Sequence, residues 1–220
     1  MPRSVDALFS PNDRNRITAA IRAAEKRTSG EIVPYVVERS DHYEDAEWRA
    51  GVVCGSLMFA GLTIVRALTS DWVPFDLLEL ALATFAAGAC GMLAVRLVPS
   101  FMRLCAGRHL LARRVEQRAA EAFVSEEVFA TRERTGILIF VSLLERRVLV
   151  IGDSGINAKV SKQAWDGVVR RVISGIAAGK PADGLVEAIG ECGTLLRKRR
   201  VTRRKNDRDE LSDALRVSRR

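Results

Sequence analysis

The chain has 220 residues, a formal net charge of +8 and an apolar fraction of 48%. This length permits one domain of ordinary size once an insertion of roughly fifty residues is subtracted. The positive charge is a property of the C-terminus, because the residues from Arg197 onward contain eleven Lys or Arg and four Asp or Glu. The remainder is close to neutral, so the net charge belongs to the tail and by itself does not indicate nucleic-acid binding.

The first forty residues have the pattern of a helix followed by a strand. Ser10 is a suitable N-cap, Pro11 fits the first helical position, and Asp13 favours the positive end of a helix. Apolar residues then recur at helical spacing. Residues 31–37 follow as a strand, in which Pro34 favours an edge position or a bulge.

Two uncharged apolar blocks, 50–65 and 80–95, come next. Each is hydrophobic on all sides, without the polar stripe that a surface helix carries. A spanning helix needs roughly 20 residues, so we predict a transmembrane hairpin over 48–98, with helices at about 48–66 and 76–98. The alternative is a buried helical hairpin in a soluble bundle. In either case the glycines of the first block, four residues apart, favour close helix packing.

Basic residues determine the expected orientation of this hairpin. The loop 67–75 contains no Lys or Arg, whereas Arg96 and Arg103 follow the second block. Lys and Arg near the spans favour the cytoplasmic side. The sequence therefore predicts a multi-pass protein of the cell (inner) membrane with both termini in the cytoplasm.

Residues 103–123 have the pattern of one long, basic, amphipathic helix. We expect its basic side to lie along the lipid headgroups near the exit from the bilayer. The basic residues of this segment that we assign to lipid contact are Arg103, Arg108, Arg113 and Arg114.

The second half of the chain has an α/β pattern. Residues 136–142 are a continuous apolar run, typical of a strand buried on both faces. Residues 148–151 return as its hairpin partner after a turn at Glu145 and Arg146, which could be an exposed docking surface. Two helices follow, so strands and helices alternate as in a layered α/β fold.

Residues 199–220 are predicted to be a basic disordered tail. Attraction to anionic lipid is the alternative, at roughly 1 kcal/mol for each basic residue near the surface. Nucleic-acid binding is disfavoured here as well, because no aromatic residue is interleaved to stack on bases. The basic residues concerned are Lys198, Arg199, Arg200, Arg203, Arg204 and Lys205.

Four segments carry a resemblance to a known family: RTSGEI at 27–32, TGILIFV at 135–141, LERRVLVIGDSGI at 144–156 and GKPADGL at 179–185. They resemble the TPM domain family, and in particular a bacterial membrane branch in which two spans interrupt the domain. The similarity covers most of residues 10–198.

The resemblance implies a small α/β/α sandwich interrupted by a two-helix transmembrane hairpin. Acid phosphatase activity and divalent-metal binding are ascribed to some members. Carried over to this chain, Asp153 lies in the loop near the proposed site, and Asp183 matches the acidic residue that opens the last helix. With Glu133 they are the candidate ligands for a Ca²⁺ or Mg²⁺ ion. The alternative is a structural role, in which Asp153 supports the turn and Asp183 favours the N-terminal end of its helix. Arg134 and Thr135 stand where many members carry Asn or Asp before the strand glycine, which removes an oxygen ligand.

Residues 1–47 and 99–198 are thus predicted to be two halves of one TPM-like domain on the cytoplasmic side. No catalytic residue is assigned with certainty, so we expect a protein-interaction module for membrane-protein assembly or maintenance, rather than an enzyme. Its protein partner is not identified by the sequence. One alternative is a metal-dependent phosphatase-like hydrolase using Asp153 and Asp183. A second is a sensor of anionic lipid surfaces through the basic tail.

Overall fold

A computed structural model describes residues 8–69, 76–201 and 210–218. The chain divides into two compact units, Met1–Asp41 with Arg113–Arg220, and His42–Ala112. In chain order the helices and strands are α1 (Pro11–Glu25), β1 (Glu31–Val37), α2 (Glu44–Thr69), α3 (Leu77–Leu97), α4 (Pro99–Ser125), β2 (Gly136–Ser142), β3 (Arg147–Gly152), α5 (Ser154–Asn157), a 3₁₀ turn (Lys162–Trp165), α6 (Asp166–Ala177), α7 (Pro181–Lys198) and β4 (Arg216–Ser218).

The first unit contains a four-stranded mixed sheet with the order β3-β2-β1-β4. β1 and β2 are parallel along their whole length, from Glu31 opposite Gly136 to Val37 opposite Ser142. β3 is antiparallel to β2 and returns after the predicted turn. The three predicted strands and the hairpin are confirmed. The continuous apolar run of β2 fits a strand that is covered by a layer on each face.

Helices cover both faces of this sheet. On one face, Val33 and Leu138 pack with Val115 and Ala119 of α4. On the other face, alternate strand residues such as Ile32 pack against α1, α6 and α7. Successive strand side chains point to opposite faces, so a fully apolar strand supplies both cores. The predicted α/β/α sandwich is confirmed.

The predicted disordered tail is wrong for residues 210–218. β4 pairs in parallel with Tyr35–Val37, and Leu215 just before it is buried in the core. A strand of three residues in a charged segment is too short to have a sequence pattern that predicts it. β4 pairs with β1 only from Tyr35 onward. At Pro34, the side of β1 that faces β4 therefore has no strand partner among the described residues, which is consistent with the predicted edge position. Residues 202–209, with Arg203, Arg204 and Lys205, lie outside the described residues.

The second unit contains α2 and α3, which are long and apolar enough to span a membrane. They pack through small residues: a Cβ on Gly91 would lie 2.9 Å from the Ala50 carbonyl oxygen, and one on Gly88 would lie 3.2 Å from the Gly51 oxygen. The predicted close packing of the first block is confirmed. α2 begins at Glu44, earlier than predicted, because its acidic first turn favours the positive helix end.

The helix predicted over 103–123 is not continuous. α4 is interrupted at Gly107, whose φ of 74° and ψ of 155° are not helical. Glycine adopts this conformation without the clash that a Cβ would cause. Helical periodicity therefore does not place the basic residues before and after Gly107 on one face. The prediction of one continuous amphipathic helix is wrong.

Candidate functional site

Asp153 lies in the turn after β3, next to the start of β2. Its backbone N–H donates to the Gly136 carbonyl at 2.9 Å, and its Oδ1 accepts a 2.6 Å hydrogen bond from the Ser154 N–H as the N-cap of α5. The side chain is only 5% exposed. Arg134 Nε lies 2.9 Å from Asp153 Oδ2. The buried carboxylate is therefore both a helix cap and the acid of an ion pair with a guanidinium that is 53% exposed.

Asp183 has a different and more exposed partner. It lies in the first turn of α7, where a carboxylate favours the positive helix end. Its Oδ1 is 2.6 Å from Arg16 Nη2 on α1, and the two side chains are 40% and 46% exposed. The ion pair joins two helices on the same face of the sheet, which is a structural use of this carboxylate.

Glu133 is half-buried in the loop before β2. This loop is in backbone contact with the turn of Asp153, since the Gly155 N–H donates to the Arg134 carbonyl at 3.0 Å. The structure thus brings the Glu133 loop to Asp153, whereas Asp183 is engaged by an arginine of another element. Across residues 8–69, 76–201 and 210–218, no three His, Cys, Asp or Glu side chains are grouped as a metal ion would require.

A second group of acidic side chains was missed by sequence analysis. Glu25, Glu31 and Asp213 meet where the C-terminal segment contacts α1 and β1. Glu25 Oε1 accepts a 2.8 Å hydrogen bond from the Ile32 N–H, and Asp213 Oδ2 accepts one of 2.7 Å from Arg22 Nε. Burial, followed by the charges of Glu31 and Asp213, raises the pKa of Glu25 to about 9. Sequence analysis missed this group because Asp213 lies in a segment that was predicted to be disordered, far along the chain from Glu25 and Glu31.

The turn at Glu145 also differs from its prediction. Glu145 is buried rather than exposed, and its Oε1 accepts a 2.9 Å hydrogen bond from the Ser40 N–H. The Ser142 hydroxyl donates to the other carboxylate oxygen and lies 2.8 Å from the Ser40 hydroxyl. The interpretation of this acid as part of an exposed docking surface is wrong, because it joins the ends of β1 and β2.

Comparison with known proteins identifies the family. A sequence model of the TPM domain matches residues 78–195, which is more than half of the chain. The chain belongs to the TPM domain family. An NMR structure of the BA42 protein from the psychrophilic bacterium Bizionia argentinensis is similar in fold, with a TM-score of 0.59 and 21% sequence identity over 99% of this chain and 100% of that one. No curated protein sequence matches the chain.

The acidic residues of this TPM domain do not fit a divalent-metal site. Ca²⁺ takes about six to eight oxygen ligands and Mg²⁺ about six. Asp153 already has a guanidinium at ion-pair distance, and Asp183 has another. A metal-dependent reaction at these residues therefore has no support in their contacts.

The predicted lipid-facing residues of the TPM protein occupy several environments. Arg108, Arg113, Lys198, Arg199 and Arg200 are exposed. Arg103 donates to the Ser100 hydroxyl, and Arg114 forms a 2.8 Å ion pair with Asp41. Arg114 therefore has a carboxylate partner within the first unit, whereas the end of α7 presents four consecutive exposed cations, Arg197 to Arg200.

Proposed function

We propose that this chain is an integral membrane protein whose two apolar helices anchor a TPM domain that recruits protein partners. The observation that supports it best is the exposed apolar surface of α2 and α3. Only 11% and 17% of their most apolar windows are buried within the chain. Leu68 and Phe85 are 80% and 78% exposed. A core helix of a soluble protein would be covered, so this surface needs another apolar environment, which a bilayer supplies.

The proposed orientation places both termini in the cytoplasm of a bacterial cell. It is supported by the distribution of Lys and Arg, which are absent from 67–75 and frequent after Val95. The test uses a variant without native cysteines that carries Lys198→Cys or Ser70→Cys. In intact cells an impermeant maleimide should label the cysteine at position 70, and it should label the one at position 198 only after permeabilisation. Labelling of position 198 in intact cells would contradict the orientation.

Membrane insertion itself has a simpler measurement. The full chain should stay in the membrane fraction after alkaline carbonate extraction, whereas a soluble helical bundle would be released. The matched control replaces residues 48–98 with a flexible linker, and this form should be extracted. Release of the full chain would overturn the membrane proposal.

The interaction role is supported by the structural use of the acidic residues. Asp153 caps a helix within an ion pair, Glu145 joins two strand ends, and Asp183 joins two helices. The sandwich also leaves Val124 and Ile173 exposed among its large apolar residues. These two positions are therefore accessible for probing a contact with another protein.

A photo-crosslinking experiment in cells tests this role. A photoreactive amino acid at Val124 or Ile173 should yield a defined crosslink to a membrane protein, and exposed Lys180 serves as the matched control position. Absence of a crosslink from both apolar positions would contradict the interaction role. Hydrolysis of an aryl phosphate that is lost in Asp153→Asn would favour the hydrolase alternative instead.

Binding to anionic lipid is a second candidate, favoured by the exposed run Lys198, Arg199 and Arg200 at the end of α7. Replacing the three with Gln should reduce binding of the hairpin-deleted form to phosphatidylserine vesicles. The expected loss is about 100-fold, from roughly 1 kcal/mol for each charge. Equal binding of both forms would exclude these residues as a lipid contact.

A further inference from the structure

An ion pair between an exposed guanidinium and a buried carboxylate joins the loop before β2 to the turn after β3. We propose that the guanidinium of Arg134 is the resident cation of the Asp153 turn, and that it takes the place of the divalent metal ion that the family resemblance implies. The proposal concerns what neutralises this carboxylate, so it stands independently of the membrane and interaction roles.

The Asp153 carboxylate needs a charge partner because it is almost completely buried. Removing an ionised carboxylate from water is strongly unfavourable unless an opposite charge or hydrogen bonds compensate. The Ser154 N–H satisfies Oδ1, whereas Oδ2 receives no hydrogen bond within the described part of the chain. Arg134 Nε lies 2.9 Å from this oxygen in an ion pair without hydrogen-bond geometry. Arg134 therefore supplies the charge that faces Oδ2.

Arg134 is held in place by contacts of its own. Its backbone is left-handed, with a φ of 58°, its N–H donates to the Thr131 carbonyl at 3.1 Å, and its carbonyl accepts from the Gly155 N–H at 3.0 Å. The guanidinium also lies 5.6 Å from the centre of the Phe129 ring, a cation–π distance. These contacts position the side chain before any external ion arrives.

The turn of Asp153 packs tightly against the loop before β2. A Cβ on Gly155 would lie 2.2 Å from the Glu133 carbonyl oxygen and 2.9 Å from that of Arg134. The two loops are therefore in direct backbone contact. Ca²⁺ would need about six to eight oxygen ligands, and within the described residues no three His, Cys, Asp or Glu side chains are arranged so that they could hold a metal ion.

The test is a double-mutant cycle on the full chain in detergent, with the thermal unfolding midpoint as the readout. Arg134→Gln should lower the midpoint by about 5 °C or more, because it leaves a buried carboxylate unpaired. In an Asp153→Asn background, where Asn still caps the helix, the same change should shift the midpoint by less than about 2 °C. Arg146→Gln is the matched control, because Arg146 also has a left-handed backbone and is exposed.

Calcium and magnesium chlorides, each compared with a chelator, provide the second readout. The midpoint of the wild-type protein should be the same in all three conditions. A rise with either ion that Asp153→Asn abolishes would overturn the proposal, as would equal effects of Arg134→Gln in both backgrounds. If Arg134→Gln does not fold, Arg134→Lys replaces it in the cycle. This variant retains the positive charge but carries it on a shorter side chain.

Discussion

Arg22 on α1 and Asp213 in the C-terminal segment are 191 positions apart, and their side chains form an ion pair of 2.7 Å. Thr18, one turn earlier on α1, donates to the Asp213 carbonyl at 3.2 Å. Asp213 is buried and lies beside Glu25. Because the pKa of Glu25 is raised, this side chain is mostly protonated at neutral pH. The C-terminal segment is thus attached to the sandwich by an ion pair and a hydrogen bond to α1, next to a carboxyl group whose pKa is raised.

Glu25 should make the protein less stable as the pH rises. Its folded-state pKa of about 9 is above the ordinary value of 4.5. Its contribution is therefore fully present below about pH 4.5 and is lost progressively as the pH rises to about 9. Glu25→Gln should remove this decline, up to about 1.4 kcal/mol per pH unit. The free energy of unfolding in urea at several pH values measures the effect.

The control for Glu25 is Glu116→Gln, because Glu116 is exposed on α4. It should leave the pH dependence of the wild-type protein unchanged. An identical slope for Glu25→Gln and the wild type would show that Glu25 does not titrate as expected.

Leu215 should account for much of the docking energy of the C-terminal segment. It is buried in the core next to β4, so Leu215→Ala should reduce the free energy of unfolding by about 2–5 kcal/mol. Ile173→Ala, at an exposed position of α6, should cost far less. Urea unfolding followed by fluorescence compares the two. Similar losses would indicate that the segment is not packed against the sandwich.

Gly136 should not tolerate a side chain. A Cβ there would lie 1.8 Å from the Val128 carbonyl oxygen, so Gly136→Ala should destabilise the protein by about 1–3 kcal/mol or more. Gly190→Ala in α7 is the matched substitution, because no atom lies within 4 Å of its added Cβ. It should stabilise the helix by about 0.5–1 kcal/mol. Differential scanning calorimetry should show midpoint shifts of opposite sign.

Gly91 should be required for close packing of α2 and α3. Its added Cβ would lie 2.8 Å from Cys54 Sγ, so Gly91→Ala should lower the melting temperature in detergent, with a cost of about 1–3 kcal/mol. Gly61→Ala adds a methyl group to an open surface of α2 and should have little effect. Equal melting temperatures of the two variants would argue against the small-residue contact.

Patterns that repeat along the chain were predictive. The apolar run 136–142 indicated a strand between two layers, and the uncharged blocks 50–65 and 80–95 indicated two apolar helices. These predictions succeed because burial of one element depends on its own hydrophobicity and period. Gly51 and Gly55 similarly indicated a close helix contact before any partner was known.

Contacts between distant residues were not predictable. β4 is three residues long in a charged segment, and it forms because the edge of β1 offers unpaired backbone groups and the core accepts Leu215. Glu145 was interpreted as exposed, yet folding surrounds it with Ser40 and Ser142. The local sequence predicts neither the pairing of β4 nor the burial of Glu145, because the partner residues come from other segments of the chain.

The sequence by itself determined the layered α/β class, the two apolar helices and the acidic residues worth examining, since these depend on composition and local period. The tertiary structure decided what each acid does, because the cost of burying a charge depends on which partner folding brings to it. Arg134 beside Asp153 and Arg16 beside Asp183 convert candidate metal ligands into ion pairs. Asp213, in a segment predicted to be disordered, instead becomes a buried carboxylate paired with Arg22.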